Sequence, residues 1–376
     1  MRIRATPLVG LLLAMCAGLA WASYLTSDYG DTPQQAPPER IIRPMPPPPP
    51  PPRPVSNPLT DMLSRVVVRD GYRWRGLTVY PVELATVTDR RDYLSISEAL
   101  ADGLLAVREK GAGNVPVLMV ENRGDRPVLM LGGELVLGGK QNRVLREDVL
   151  LPGRSCPVEV PVFCIEHGRW TDKPAAFECK QSVAPLAVRE AARSGASQDA
   201  VWAGVSGYCK SLGVESRTSD LQAVHDSPEV RKELADCRES FVKHCWRQEQ
   251  VGMVVARYHQ IVGADLFANA ALFRKHRDRL LESYAVDCIA CKGAPGDRIA
   301  APGRDEAERF LLGVFDAAFD WRGTPGLGRL LSVSGAGLSG SALVNGDDVL
   351  HACLAAQNVI IIEPVPLPRR MLPEED

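Results

Sequence analysis

From Leu77 to Ile165 the chain sets short apolar, β-branched runs against glycine-, asparagine- and proline-rich breaks. The runs Leu77 to Leu84 (LTVYPVEL), Val115 to Val120, Val128 to Leu131, Glu134 to Leu137, Arg143 to Leu151 and Val158 to Ile165 each predict a strand. Tight-turn signals lie between them (Asn-Arg-Gly-Asp, Gly-Gly and Pro-Gly), so this half predicts an antiparallel sheet or sandwich. Pro161 brings no N–H to a ladder, which predicts an edge strand for the last run. One helix is embedded early, from Ser95 to Glu109, where Leu100, Leu104 and Leu105 recur at helical spacing.

The second half changes period. Trp170 to about Gln198 carries no repeat and reads as a surface loop. Val201, Trp202, Val205, Tyr208 and Leu212 then form one apolar stripe, with Ser197 or Asp199 as cap and Gly213 at the end. Val230, Leu234, Cys237 and Phe241 form a second, starting near Pro228, and core burial explains Cys237 there. Gly252 to Phe267 returns to strand, two apolar runs meeting at Tyr258-His259. Asn269 caps a helix bearing Leu272, Phe273, Leu280, Leu281 and Tyr284, and Asp305 to Phe319 predicts another with Phe310, Leu311, Val314 and Phe315 inward. Asn345-Gly346, between SALV and DDVLHACLA, signals a closing hairpin. The fold class is therefore α+β: an antiparallel, strand-rich N-terminal half followed by mixed helices and hairpins.

Composition adds an address. Arg2 and Arg4 precede an uncharged apolar run that ends in Ala20-Trp21-Ala22, the pattern of a secretory leader over residues 1–22. The uncharged run continues to Leu25, so an uncleaved membrane anchor is the competing reading. Residues 23–58 form a proline-rich linker with an unbroken run from Pro46 to Pro52, a stiff polyproline II spacer. The folded region spans residues 59–362, and 363–376 is a polar tail. Both readings of the leader put the bulk of the chain in the periplasm or outside the cell, touching membrane only through its N-terminal segment. Ten cysteines agree with an oxidising address; nine remain after loss of Cys16, an odd number, so at least one is free. With 44 basic and 46 acidic residues the net charge is −2, which supplies no field for nucleic acid. The partner is a small molecule or an envelope protein.

Candidate chemistry centres on Leu131 to Arg143, LGGELVLGGKQNR, where two glycine pairs bracket four residues and anion-holding side chains follow. It is not a phosphate loop: Gly139 intervenes before Lys140, and Gln141 stands where a hydroxyl residue is needed. Taken as a two-residue turn, Gly138-Gly139 pairs Leu137 with Lys140 and Glu134 with Arg143. Glu134, Val136, Gln141 and Arg143 then share one face. Glu134 and Arg143 form either a cross-strand ion pair or a clamp for a planar anionic or amide-rich ligand. Glu166, Arg169 and Trp170 leave a strand end, and Arg169 beside Trp170 stacks on an aromatic ligand or on its neighbour. If that strand lies beside the glycine hairpin, both clusters line one pocket.

The remaining chemistry is thin. Cys288-Ile289-Ala290-Cys291 follows a predicted helix rather than starting one, which favours a local disulfide or two separate bridges over redox catalysis. No second Cys-x-x-Cys and no paired histidines supply a metal site, no cofactor motif is present, and His276 falls on a core helix face. No nucleophile elbow occurs.

The segments GGELVLGGKQNR, CIEHGRW, AVWAGV and IVGADLF followed by FRKHRDRLLESYAVD together resemble the ARG and Rhodanese-Phosphatase-superfamily-associated Protein domain family, over roughly Leu77 to Ala355. A departure is local: Tyr258-His259 stands where Asn-Gly usually makes the hairpin turn, which puts a two-residue turn in doubt. The family is named for a genomic association with predicted nucleotide-derivative and phosphatase-like systems, and the resemblance implies no particular reaction. Two functions are therefore carried. The first is an exported, non-catalytic ligand-binding or interaction domain using Glu134, Gln141, Arg143, Glu166, Arg169 and Trp170. The second is an enzyme acting on a nucleotide-derived or phosphorylated small molecule, with Glu134 or Glu166 as acid/base and Arg143 or Arg169 as anion clamp.

Overall fold

In the computed structural model the described residues are 56–111, 116–169, 175–180, 182–291 and 300–357. The leader, residues 23–55 of the proline-rich linker, Trp170, residues 358–362 and the C-terminal tail lie outside them, while the linker's last residue, Pro58, opens the first helix. The contact pattern divides the chain into Met1–Pro52 and Arg53–Asp376, and everything below concerns the second unit.

The chain begins with α1 (Pro58–Leu63), β1 (Val66–Val68), β2 (Tyr72–Trp74) and β3 (Leu77–Leu84). It continues through β4 (Leu94–Ser95), α2 (Ile96–Ala101), β5 (Leu105–Glu109), β6 (Val117–Asn122), β7 (Val128–Met130) and β8 (Leu135–Gly139). Then come β9 (Arg143–Leu145), β10 (Val149–Leu151), β11 (Val158–Cys164) and β12 (Ala175–Glu178). The helical section holds α3 (Leu186–Arg193), α4 (Gln198–Leu212), α5 (Leu221–Asp226) and α6 (Pro228–His244), followed by β13 (Gln250–Arg257), β14 (Gln260–Phe267) and α7 (Ala270–Ala290). Last are α8 (Arg304–Leu312), β15 (Ala318–Gly323), β16 (Arg329–Gly335), β17 (Leu338–Asn345) and β18 (Asp348–Ala356). The class is α+β.

Three sheets organise these elements. A nine-stranded antiparallel sheet runs β1-β3-β13-β14-β18-β17-β16-β15, with β2 also on β3. The early strands divide between a six-stranded sheet, β12-β8-β9-β11-β6-β5, and a three-stranded one, β10-β7-β4. One face of the large sheet packs α3, α4, α6 and α7 through residues such as Val255, Phe267, Val205, Phe241 and Leu280. Its other face packs α1 and α8 through Leu59, Val254, Leu266, Leu311 and Leu354. The small sheets share a third core of Leu118, Val128, Val136, Leu145 and Val160.

Several predicted elements shift for identifiable reasons. The early helix ends at Ala101, because Gly103 turns with φ +67° and Leu105–Glu109 pairs with β6. Arg143 to Leu151 is two strands in different sheets, β9 on β11 and β10 on β7. Pro161 is not on an edge strand, since β11 pairs with both β6 and β9. Its missing N–H is tolerated because it faces the end of β9, where its carbonyl accepts the Arg146 N–H. The expected surface loop after Trp170 contains β12 and α3, whose inward face carries Leu186, Val188, Arg189 and Ala192. The helix expected to reach Phe319 stops at Leu312, and Phe319 lies in β15.

The expected caps hold: Ser197 accepts from Ala200 N, Gly213 closes α4 with φ +64°, and Asn269 accepts from Leu272 N. The turn at Tyr258-His259 is two residues after all, with Arg257 opposite Gln260 and Tyr258 held at φ +53°. Tyr258 tolerates that conformation because its N–H donates to the Gly76 carbonyl and its hydroxyl to the Cys291 carbonyl. In the closing hairpin Asn345 pairs with Asp348, so Gly346 and Asp347 make the turn.

Candidate functional site

The stretch Leu131 to Arg143 does form a β-hairpin, but in a register two residues from the expected one: Leu135 faces Val144 and Val136 faces Arg143. Gly138 and Gly139 adopt φ of +111° and +56° as the end of β8, and the chain turns through Lys140 to Asn142. The expected Glu134–Arg143 pair is therefore not made. Glu134 lies opposite Leu145, and its carboxylate binds Arg279 of α7, Nη1 to Oε1 at 2.6 Å, and accepts from Leu131 N at 2.7 Å. Arg143 is also fully buried; it donates to the Gln141 carbonyl at 2.7 Å and lies 3.5 Å from Glu109 Oε1. The two glycine pairs thus serve two different places.

The first pair borders a buried ionic network. Register across the large sheet sets Asp265 of β14, Cys353 of β18 and Ser341 of β17 in one row, with His351 two residues from Cys353 on the same face. Arg189 reaches down from α3 and donates to Asp265 (Nη2 to Oδ1, 2.5 Å; Nη1 to Oδ2, 3.3 Å) and to Cys353 Sγ at 3.1 Å. Tyr284 donates to Asp265 at 2.7 Å. His351 bridges two carboxylates, Nδ1 to Asp148 at 2.7 Å and Nε2 to Asp265 at 3.0 Å. Gly132 N donates to Asp148, while a Cβ on Gly133 would fall 2.6 Å from Arg189 Cγ. The first glycine pair is what lets backbone and arginine approach so closely.

Burial and charge compete throughout this network. Burial disfavours the His351 cation, but Asp148 and Asp265 outweigh it and raise its pKa to about 9. Burial pushes the Asp265 carboxyl up, yet Arg189 and His351 hold it below the usual range. Glu134 goes the other way: burial raises it despite Arg279 and the Leu131 N–H. His276 is stacked on Phe267 with neither ring nitrogen hydrogen-bonded among the described residues, and burial keeps it neutral. A cleft beside Arg189, with Arg146, Arg193, Asp148 and Cys353 in its walls, has a cavity volume of only about 10 Å³. That holds about one water molecule.

The second glycine pair belongs to a seam nearer the surface. Because β11 lies beside β9, with Cys164 opposite Arg143, the end of β11 meets the hairpin turn. Gln141 Nε2 donates to the Glu166 carbonyl at 2.8 Å, and Glu166 Oε2 accepts from Asn142 N at 3.2 Å and Arg169 Nε at 2.7 Å. Arg169 also donates to the Gly139 carbonyl and to Asn142 Oδ1, both at 3.0 Å, and its side chain keeps 29% exposure. Asp220 takes a bond from Asn142 Nδ2; burial, reinforced by Glu166, raises its carboxyl to about 6. Gln141, Glu166 and Arg169 therefore come together, whereas Glu134 and Arg143 turn away into the core.

No disulfide joins the described cysteines, so the expected bridges are not present among them. They sit on separate core elements: Cys164 on β11, Cys237 on α6, Cys353 on β18, with Cys288 inside α7 and Cys291 at its end. Burial raises the thiol pKa to about 11 at Cys164 and Cys209 and about 12 at Cys245, which leaves them unreactive. Among the described residues no three His, Cys, Asp or Glu side chains gather as a metal site. Asp148, Arg189 and Asp265 went unnoticed in the sequence, and His351 and Cys353 were assigned no role; for Asp265, His351 and Cys353 the available signal was an ionisable residue at an inward position of the apolar runs IVGADLF and VLHACLA.

Fold and site together define an α+β domain in which a glycine-bracketed hairpin joins a buried charge network to a polar seam of buried Gln141, Asn142 and Glu166 with a half-buried Arg169. The sequence model of the ARG and Rhodanese-Phosphatase-superfamily-associated Protein domain matches residues 65–355, and the chain belongs to that family. No curated protein and no solved structure matches the chain.

Proposed function

We propose that the chain is an exported ligand-binding or interaction module whose ligand surface is the seam of Gln141, Asn142, Glu166 and Arg169. Arg169 carries this reading. Its guanidinium is held at all three nitrogens by Glu166, the turn carbonyls and Asn142, while its side chain keeps 29% exposure. A planar fork fixed in that way suits a planar anionic or amide-bearing group on a small molecule or an envelope protein. Export rests on the N-terminal order of arginines, apolar run and Ala-Trp-Ala.

The catalytic alternative, an enzyme of nucleotide-derived or phosphorylated small molecules, draws support from the three arginines around the Asp148 cleft. It is the weaker reading because Glu134 and Arg143 are sealed, His351 has both ring nitrogens engaged, and the cleft admits about one water molecule. A thermal-shift screen of anionic and amide-bearing compounds decides between them. The expected result is a ligand-induced shift that Arg169→Ala and Gln141→Ala both abolish. A shift that survives both changes removes the seam as the site. Turnover of a phosphorylated panel by pure protein, abolished by Glu166→Gln, overturns the non-catalytic reading.

A further inference from the structure

A second and larger concavity lies away from the hairpin, between α5, the first turns of α6 and Glu282 of α7. Its volume is about 750 Å³, within the range of small-molecule sites. Four cations line it, Lys180, Arg231, Lys232 and Arg238, against two carboxylates. Both carboxylates are engaged: Lys180 Nζ lies 3.3 Å from Asp226 and Arg238 Nη1 lies 2.7 Å from Glu282. Arg231 and Lys232 form no ion pair among the described residues and account for the surplus of positive charge.

Two residues of this groove's lining each carry a buried polar atom that has no partner among the described residues. Gln222 is 4% exposed; its Nε2 donates to Asp226 Oδ1 at 3.1 Å, which leaves Oε1 unbonded. His225 is 8% exposed and its Nε2 is likewise unbonded. Buried polar atoms are almost always satisfied, so two orphans on residues that line one concavity point to a ligand that supplies the bonds. Burial lowers the His225 pKa to about 4, so the ring is a neutral imidazole whose tautomer can suit a donor or an acceptor. A hydroxyl group answers both orphans, because it can donate to Gln222 Oε1 and accept from His225 Nε2 in the tautomer that carries its proton there.

We propose that the α5–α6 groove binds a small, hydroxyl-bearing anion, its phosphate or carboxylate on Arg231 and Lys232 and a hydroxyl against Gln222 and His225. The groove is independent of the hairpin seam and does not rest on the reading of Arg169. Its volume and its mixture of exposed cations and buried polar residues fit a sugar phosphate or a sugar acid.

Glucose 6-phosphate, gluconate, inorganic phosphate and glucose are the probes, titrated into the folded protein at low ionic strength by calorimetry and by NMR of the His225 imidazole. One or both of the hydroxylated anions should bind saturably and move the His225 resonance, and which one does so separates phosphate from carboxylate. Inorganic phosphate should bind at least tenfold more weakly, and glucose should not bind measurably. Arg231→Ala/Lys232→Ala, both on the helix surface, should weaken the preferred anion at least tenfold, whereas the exposed Lys243→Ala should leave it unchanged. Gln222→Leu, checked for folding by circular dichroism, should weaken the hydroxylated anion but not inorganic phosphate. The proposal is overturned if neither hydroxylated anion moves His225, if glucose binds as well as its phosphate, or if the double alanine variant binds normally.

Discussion

Replacing Asp265 with asparagine removes one negative charge from a fully buried position and keeps the side chain's size. The carboxylate now receives Arg189 Nη2 at 2.5 Å, Tyr284 Oη at 2.7 Å, His351 Nε2 at 3.0 Å and Arg189 Nη1 at 3.3 Å. An amide offers a single acceptor oxygen and no charge, so Arg189, itself 3% exposed, is left without its counter-ion. Breaking a buried pair in this way costs about 3–5 kcal/mol, a large part of a typical total of about 5–15 kcal/mol. With a urea slope near 3 kcal/mol per molar, the unfolding midpoint should fall by about 1 M or more. Urea titration followed by tryptophan fluorescence and circular dichroism measures it. Asp265→Asn with Arg189→Met removes both charges and should recover most of the loss, because replacing a whole buried pair is often neutral. The same variant has a pH signature. The His351 pKa is raised in the fold to about 9 from about 6.5 in the unfolded chain, so its contribution is complete below pH ~6.5 and lost as pH rises through about 9. Asp265→Asn takes away one of its two carboxylates and should bring the alkaline loss to lower pH. A midpoint within about 0.2 M of wild type, or a double variant less stable than the single, would falsify the ion-pair argument.

Three further outcomes follow from the same geometry. Burial raises the carboxyls of Asp220 and Asp287 to about 6, so both hold protons more tightly folded than unfolded and their contribution to stability declines as pH rises from about 4 to about 6. Carbon-13 titration of the two side chains should show midpoints near 6, and midpoints at ordinary aspartate values would refute the burial account. Gly133→Ala combines φ +95° with a Cβ 2.6 Å from Arg189 Cγ, whereas Gly103→Ala meets φ +67° and open space. The backbone term alone costs about 1–2 kcal/mol, so Gly133→Ala should exceed Gly103→Ala in denaturant unfolding, and equal losses would exclude the Arg189 contact. Iodoacetamide should label exposed Cys156 in the native state and buried Cys164, Cys237, Cys245 and Cys353 only after unfolding. Intact mass should be the same with and without reductant, and a two-hydrogen deficit per pair before reduction would contradict the free thiols.

Much of the fold was legible where local signals agreed with tertiary pairing. The strands Leu77–Leu84, Gly252 to Phe267 and Ser341 to Ala355 carry alternation or turn residues that the sheet simply uses. Helix α7 follows from Asn269 and the Leu272, Phe273, Leu280, Leu281 stripe. Helix α3 was not legible because Pro185 supplies no side-chain cap and Arg189 sits on the buried face, where a pattern reader counts it as solvated. The hairpin's face alternation survived, but its register did not: the paired glycines extend β8 to receive Arg169 instead of forming the turn themselves. The ionic network was out of reach for a different reason. Arg189 and Asp265 are 76 positions apart, and His351 and Asp148 are 203 apart, so neither pairing leaves a local trace. Free thiols also change the weight of the cysteines: they no longer support an oxidising compartment, and the export proposal stands on the N-terminal pattern alone.

The two halves of the hairpin depend on each other physically. Apolar contacts between sheets are non-directional, and layers held only by Leu and Val can settle in several offsets. Here Asp148 and the Gly132 N–H come from the small-sheet side, Arg189 from α3, and Asp265 and His351 from the large sheet, so the ionic row admits one offset. Glu134 adds a tie to α7 through Arg279 in the same turn of chain. Strand β8 leaves that anchored point and after a few residues presents the Gly139 carbonyl, with Asn142 just beyond, to Arg169. A displacement of the network therefore moves the acceptors that aim Arg169. Apolar residues of similar volume would hold the layers as stably as buried charges. What they would not supply is the directionality that fixes where the seam points.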